Sequence, residues 1–270
     1  MKLVFRLVTS AAALMFASTT VLADPVLWVT DSGGQLAKID VLTGATTLVG
    51  NTGRQMFDIA FNASGQLFGI DGTSLYSINS STASAMLIGS TGSSSNINSL
   101  VFGSDGSLYG ASNGLYKLNT ITGAGSQIGA NFSGGTNSSG DLAFVAGQLY
   151  LSTSFQSFDR LTKLNTSTGV NTDVGSIGFA SVFGMASPNG ADLYGFSKNQ
   201  VLTINVATGA GTLLSTASGV SLGSVYGSAF FSEAPPLIPP VPAIPEPSTY
   251  ALLIAGLIGV GFVAKRKQQA

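Results

Sequence analysis

Asp58 and Asp141 stand out among the side chains able to do chemistry. They hold the same position in two copies of an internal repeat, and two carboxyls at a fixed separation are the minimum equipment of a glycoside hydrolase, one as acid and the other as base or nucleophile. The competing role is structural, with each carboxylate accepting from neighbouring backbone amides. The rest of the chain narrows the chemistry. The 270 residues contain no Cys and no His, which excludes a disulfide framework, a thiol nucleophile, an imidazole base, a Ser–His–Asp triad and an ordinary zinc site. No glycine-rich phosphate loop is present.

Weaker signals follow. Asp31, Asp71 and Asp105 adjoin or precede glycine and could offer oxygen to calcium, but no copy has the alternating Asp/Asn ligands of a calcium loop. Turn formation accounts for them without a metal, so neither metal nor cofactor is expected. Trp28, Phe68, Tyr109, Tyr150 and Tyr194 could stack on sugar rings; recurrence at one repeat phase points instead to packing in the core. The sequons at Asn62, Asn79, Asn131, Asn137 and Asn165 follow from a composition rich in Asn, Ser and Thr. A net charge of −1 and a pI near 5.2 exclude the basic surface that a nucleic-acid partner requires.

The elements that would position these residues form a repeat of about 40 residues. An apolar residue, Asp or Asn, two variable residues and Thr-Gly recur at Asp40, Asn119, Asn165 and Asn205, with Thr82-Ala83 closing the fifth copy after Asn79; successive Asp/Asn positions lie 39, 40, 46 and 40 residues apart. The Asx side chain and a positive-φ glycine make this a hairpin turn. A short run ending in glycine follows it at Gly50, Gly89, Gly129 and Gly175, with Ser215 in the last copy. Each turn is preceded by Leu plus an aromatic (Leu27-Trp28 to Leu193-Tyr194), and before that by a small-residue strand in Phe57 to Phe61, Asn98 to Phe102, Gly140 to Phe144 and Phe183 to Ser187.

Four short strands per unit predict the blades of a β-propeller. The repeat body of the mature chain begins at a second strand, Val26 to Thr30, and ends with an unpartnered first strand, Val225 to Phe231. Pairing the two predicts an all-β, five-bladed propeller over residues 24–233, closed between its N- and C-terminal strands. The five inner strands then align Asp58, Ser99, Asp141, Gly184 and Gly227 around a central tunnel. The unit resembles loosely defined extracellular propeller repeats, which mark a fold and not a reaction.

The two ends carry addresses. Residues 1–23 read as a signal peptide, with Lys2 and Arg6 before an apolar run and cleavage by signal peptidase between Ala23 and Asp24. Residues 234–247 are a proline-rich linker. Ser248 to Ala264 is an uncharged 17-residue segment followed by Lys265-Arg266-Lys267, near the shortest length for a membrane-spanning helix and with the basic stop that would hold its end in the cytoplasm. The body between Asp24 and Ala234 carries six basic and eleven acidic residues, consistent with export of that part.

Pro245-Glu246-Pro247-Ser248, the short apolar helix in 248–270 and the basic end together resemble a PEP-CTERM sorting signal, found on exported proteins of Gram-negative, exopolysaccharide-producing bacteria. The resemblance implies an inner-membrane-anchored precursor, recognition and cleavage by an exosortase near Pro-Glu-Pro, and delivery to the cell surface or extracellular matrix. A non-enzymatic surface protein binding exopolysaccharide or a surface protein is the expectation; a glycan-active hydrolase or lyase using Asp58 and Asp141 is the alternative.

Overall fold

The computed structural model describes residues 25–233. Five four-stranded antiparallel sheets form a closed ring. Blade 1 comprises, from the axis outward, Val225–Phe230, Val26–Asp31, Gln35–Asp40 and Thr46–Asn51. The inner strands of blades 2 to 5 are Asp58–Phe61, Ser99–Phe102, Ser138–Val145 and Val182–Ala186, each followed outward by the next three strands in chain order. Blade 1 is the closure predicted from sequence: the C-terminal strand pairs with the N-terminal one, Leu27 opposite Phe230 and Trp28 opposite Ala229. This removes the open edge that either strand would otherwise present.

All five repeat turns form as the residue types require. The side-chain Oδ1 of Asp40, Asn79, Asn119, Asn165 and Asn205 each accepts from the backbone amides two and three residues on, as from Leu42 (3.0 Å) and Thr43 (2.9 Å) in blade 1. The turns also lock the blades together. The glycine ending each outer strand packs against the turn threonine of the next blade: a Cβ on Gly129 would lie 1.9 Å from the Thr168 carbonyl oxygen, and one on Gly175 would lie 2.0 Å from that of Thr208. At the seam between blades 5 and 1, Ser215 takes that place and donates its hydroxyl to the Val41 carbonyl (2.6 Å).

The core is divided among the blade interfaces. Five hydrophobic clusters each join two neighbouring blades. The repeat aromatics supply one ring to each: Trp28, Phe68, Tyr109 and Tyr150 are buried, and Tyr194 is half-buried. Four meet a phenylalanine at the end of the next blade's inner strand, Trp28 on Phe61 and Phe68 on Phe102 at 5.3 Å, Tyr194 on Phe230 at 5.5 Å and Tyr109 on Phe144 at 5.8 Å. The four buried rings are packing residues, and the sugar-stacking alternative for them falls away.

The expected signal-cleavage pair Ala23/Asp24, the 234–247 linker with Pro245, Glu246, Pro247 and Ser248, the 248–270 helix and its basic stop Lys265-Arg266-Lys267 lie outside the described residues. Among the described residues no helix is long and apolar enough to cross a membrane.

Candidate functional site: the propeller axis

The five inner strands run in one direction, from a face where the connections between blades enter to a face where the chain leaves after Phe230. Each presents one edge to the axis, where its backbone amides lack a strand partner. An unpaired buried N–H is costly, so these donors need acceptors. Asp58 and Asp141 provide them. Asp58 Oδ1 accepts from the amides of Ile59 (2.7 Å) and Ser228 (3.2 Å), and its Oδ2 from that of Leu100 (2.5 Å). Asp141 Oδ1 accepts from the Leu142 amide (2.7 Å), and its Oδ2 from the Met185 amide (2.6 Å) and the Ser228 hydroxyl (3.0 Å). One amide from every blade is thereby satisfied by two carboxyls.

The other three aligned positions leave room for this arrangement. Ser99 turns its hydroxyl back on its own blade, donating to the Ala111 carbonyl (3.2 Å). A Cβ on Gly227 would lie 2.3 Å from Asp58 Cα, and one on Gly184 would lie 2.8 Å from the Ser228 hydroxyl oxygen. At this level the expected tunnel is filled by side chains and backbone. Asp58 and Asp141 are both 0 % exposed.

Burial pushes both carboxyls well above the usual carboxylate range, and the two lie within hydrogen-bonding reach of each other. The two therefore titrate as one coupled pair, with desolvation as the main cause for each. Glu233 is a third axial acid to which sequence reasoning assigned no role. It accepts from the Ser187 amide (3.4 Å) on the face where the chain leaves, and burial followed by the nearby Asp141 holds its carboxyl well above the ordinary value. Ser187 stands where the other inner strands carry Phe61, Phe102, Phe144 and Phe230. That break in the phenylalanine series was the available signal. A recess of about 340 Å³ opens beside Glu233, bordered by Phe102, Phe144 and Asn189.

The opposite mouth differs in chemistry. The residue before the Asp58 position reads Phe57, Asn98, Gly140, Phe183 and Tyr226 around the ring. Phe183 and Tyr226 stack with centroids 5.5 Å apart and planes at 18°, and Phe57 meets Tyr226 edge-on at 5.8 Å. All three rings are half-buried. Asn98 donates to the Ser138 carbonyl (3.3 Å).

The remaining candidate residues are occupied in turns. Asp31 accepts from the amides of Gly33, Gln35 and Gly223. Asp71 accepts from the Ser74 amide and the Tyr76 hydroxyl and pairs with Arg54, and Asp105 accepts from the amide and hydroxyl of Ser107. No group of three acidic side chains among the described residues is arranged to hold a metal ion.

Fold and sequence comparisons agree with this anatomy. Residues 243–267 match the PEP-CTERM protein-sorting motif. The chain is therefore a five-bladed β-propeller with a sorting signal at its end, the mark of an exported protein with a membrane-anchored precursor and an exosortase as processing partner. No curated protein matches the chain. Among solved structures, one from a nidogen–laminin complex aligns at 17% identity over 78% of this chain and 82% of its own, with a TM-score of 0.51. A gluconolactonase from Xanthomonas campestris aligns at 14% identity over 76% and 80%, with a TM-score of 0.49. These likenesses concern the fold alone.

Proposed function

We propose that this protein is a non-enzymatic component of the cell surface or extracellular matrix, cleaved by an exosortase near Pro245-Glu246-Pro247, whose propeller binds polysaccharide or a surface partner. The observation that carries the non-enzymatic part is the saturation of the axial carboxyls. Asp58 and Asp141 are wholly buried and bonded to backbone amides from all five blades, whereas a glycosidic acid must reach its substrate's leaving oxygen. A surface poor in charge and rich in Ser, Thr, Asn and Gly suits contact with glycans through hydroxyl and amide groups.

Intact-mass measurement on protein from separated fractions of its own host tests the sorting. The expected form starts at Asp24, ends near Pro245 to Ser248, and is found at the surface or in the medium. A sole form retaining Lys265 to Ala270 in the inner membrane would refute cleavage and delivery. Co-sedimentation with host exopolysaccharide and with cell envelopes tests the binding role; absence from both would end it. Release of reducing sugar, lost in Asp141→Asn with the fold intact, would establish the hydrolase alternative instead.

A further inference from the structure

We propose that the axial mouth formed by Phe57, Phe183 and Tyr226, with Asn98 at its edge, is a stacking site for the pyranose rings of an uncharged glycan. This deepens the glycan-binding reading above and rests on it.

Three observations support the site. The first is an aromatic arc left partly open to solvent. Elsewhere on the inner strands the large apolar side chains are mostly buried, as at Ile59, Phe61, Leu100 and Phe230. One step before the axial carboxyls, three rings from three consecutive blades form a continuous cluster and stay half-buried. Adjoining aromatic surface left open at one point is a candidate contact for a partner. The apolar C–H faces of a sugar ring suit such surfaces, since the negative ring face attracts polarised C–H groups.

The second is the polar side of the same mouth. Across from the arc, blades 3 and 4 contribute no ring, only Asn98 and Gly140. Asn98 Oδ1 is buried with no hydrogen-bond partner, and Tyr226 carries the one hydroxyl of the arc. An apolar arc that carries a phenolic hydroxyl and has only Asn98 and Gly140 across from it matches a ligand with an apolar face and a hydroxylated rim.

The third is charge. The five connections that enter the inner strands at this mouth carry one charged residue, Arg54. It is committed to Asp71 and lies over the Tyr76 ring at 4.4 Å. The segments TGSSSNIN, GANFSGGTN and ASGVSLGS have none. On the same face, Asp159 is buried against the Ser139 hydroxyl and the Val182 amide, and Lys198 lies on an outer loop of blade 5. A phosphate or uronate ligand would call for clustered free cations, so an uncharged glycan fits better. The placement also suits display. The closing strand Val225–Phe230 holds Tyr226 near one end and delivers the chain to its C-terminal segment at the other, about 17 Å away at strand rise. The mouth thus lies on the face opposite to the one from which the chain leaves after Phe230.

The test uses the full chain expressed with both its signals in its host. Binding is measured by calorimetry against soluble neutral glucans, host exopolysaccharide and an anionic uronan, for the natural protein and for Phe183→Ala, Tyr226→Ala and Tyr226→Phe. We expect about a ten-fold or larger loss for each alanine variant with unchanged circular dichroism. Tyr226→Phe, which keeps the ring, is expected to lose less than about five-fold. Should an alanine variant fail to fold, the Tyr226 ring resonances of the natural protein, assigned through Tyr226→Phe, must shift on glucan addition. Glycan binding undiminished in folded variants, or unaccompanied by those shifts, overturns this site and leaves the broader reading standing. Binding confined to the uronan and abolished by salt or by Lys198→Ala overturns it as well. No binding to any glycan removes both.

Discussion

Asp58 and Asp141 show how one residue type can be prepared for chemistry and committed to structure. Their position in the repeat is where a propeller enzyme could present acids, yet each is enclosed by amides of its own blade and the next. Asp58→Ala would orphan three buried amides, and at about 1–3 kcal/mol each it should cost more than about 3 kcal/mol in urea unfolding. A purely catalytic Asp58 would instead give a folded, inactive variant. The raised carboxyls also set a pH dependence. An acid whose folded pKa lies above its unfolded value adds stability that is complete below the unfolded value and lost as pH rises through the folded one. Urea midpoints should therefore fall as pH rises above the ordinary carboxylate range of about 4, with the Asp58–Asp141 pair and Glu233 responsible. Asp141→Asn, fixed in an uncharged form, should be less stable in acid but show a shallower decline.

The blade is the unit of folding design, and its two sequence signatures prove to be halves of one contact. The glycine ending an outer strand and the threonine of the next turn meet across the blade interface, with no room for a methyl group at Gly129 or Gly175. Gly175→Ala should destabilise by about 2 kcal/mol or more through overpacking against the Thr208 carbonyl, measured as a lowered melting temperature. Ser215→Ala removes only the bond to Val41 and should cost about 1 kcal/mol. Phase and turn chemistry were legible in the chain because they depend on neighbours within a few residues. The latch was not, since its partners come from different repeats about 40 residues apart. Ala83, the one departure from turn glycine, keeps a positive φ of 65°, so the hairpin geometry overrides the residue's own preference.

At the scale of the molecule, stability is spread over five interfaces and depends on closing the ring. A chain ending at Gly223 would lack the inner strand of blade 1, expose the edge of Val26–Asp31 and uncover the cluster shared by blades 5 and 1. It should aggregate or unfold under conditions where the natural protein is monodisperse by light scattering. Cleavage near Pro-Glu-Pro, beyond Glu233, spares every strand of the ring, and the melting temperatures of precursor and processed forms should agree within about 2 °C.

The sequence alone determined the sorting motif, the strand periodicity, the blade count and the closing pair, because export signals, period-two runs and Asx turns are local patterns. Only the tertiary structure decided what the axis does. That two carboxyls serve amides of five blades, that Glu233 folds back beside Ser187, and that Phe57, Phe183 and Tyr226 gather at one mouth follow from ring closure. Closure brings residues from distant repeats within a few ångströms, a proximity that the local pattern of a repeat does not encode.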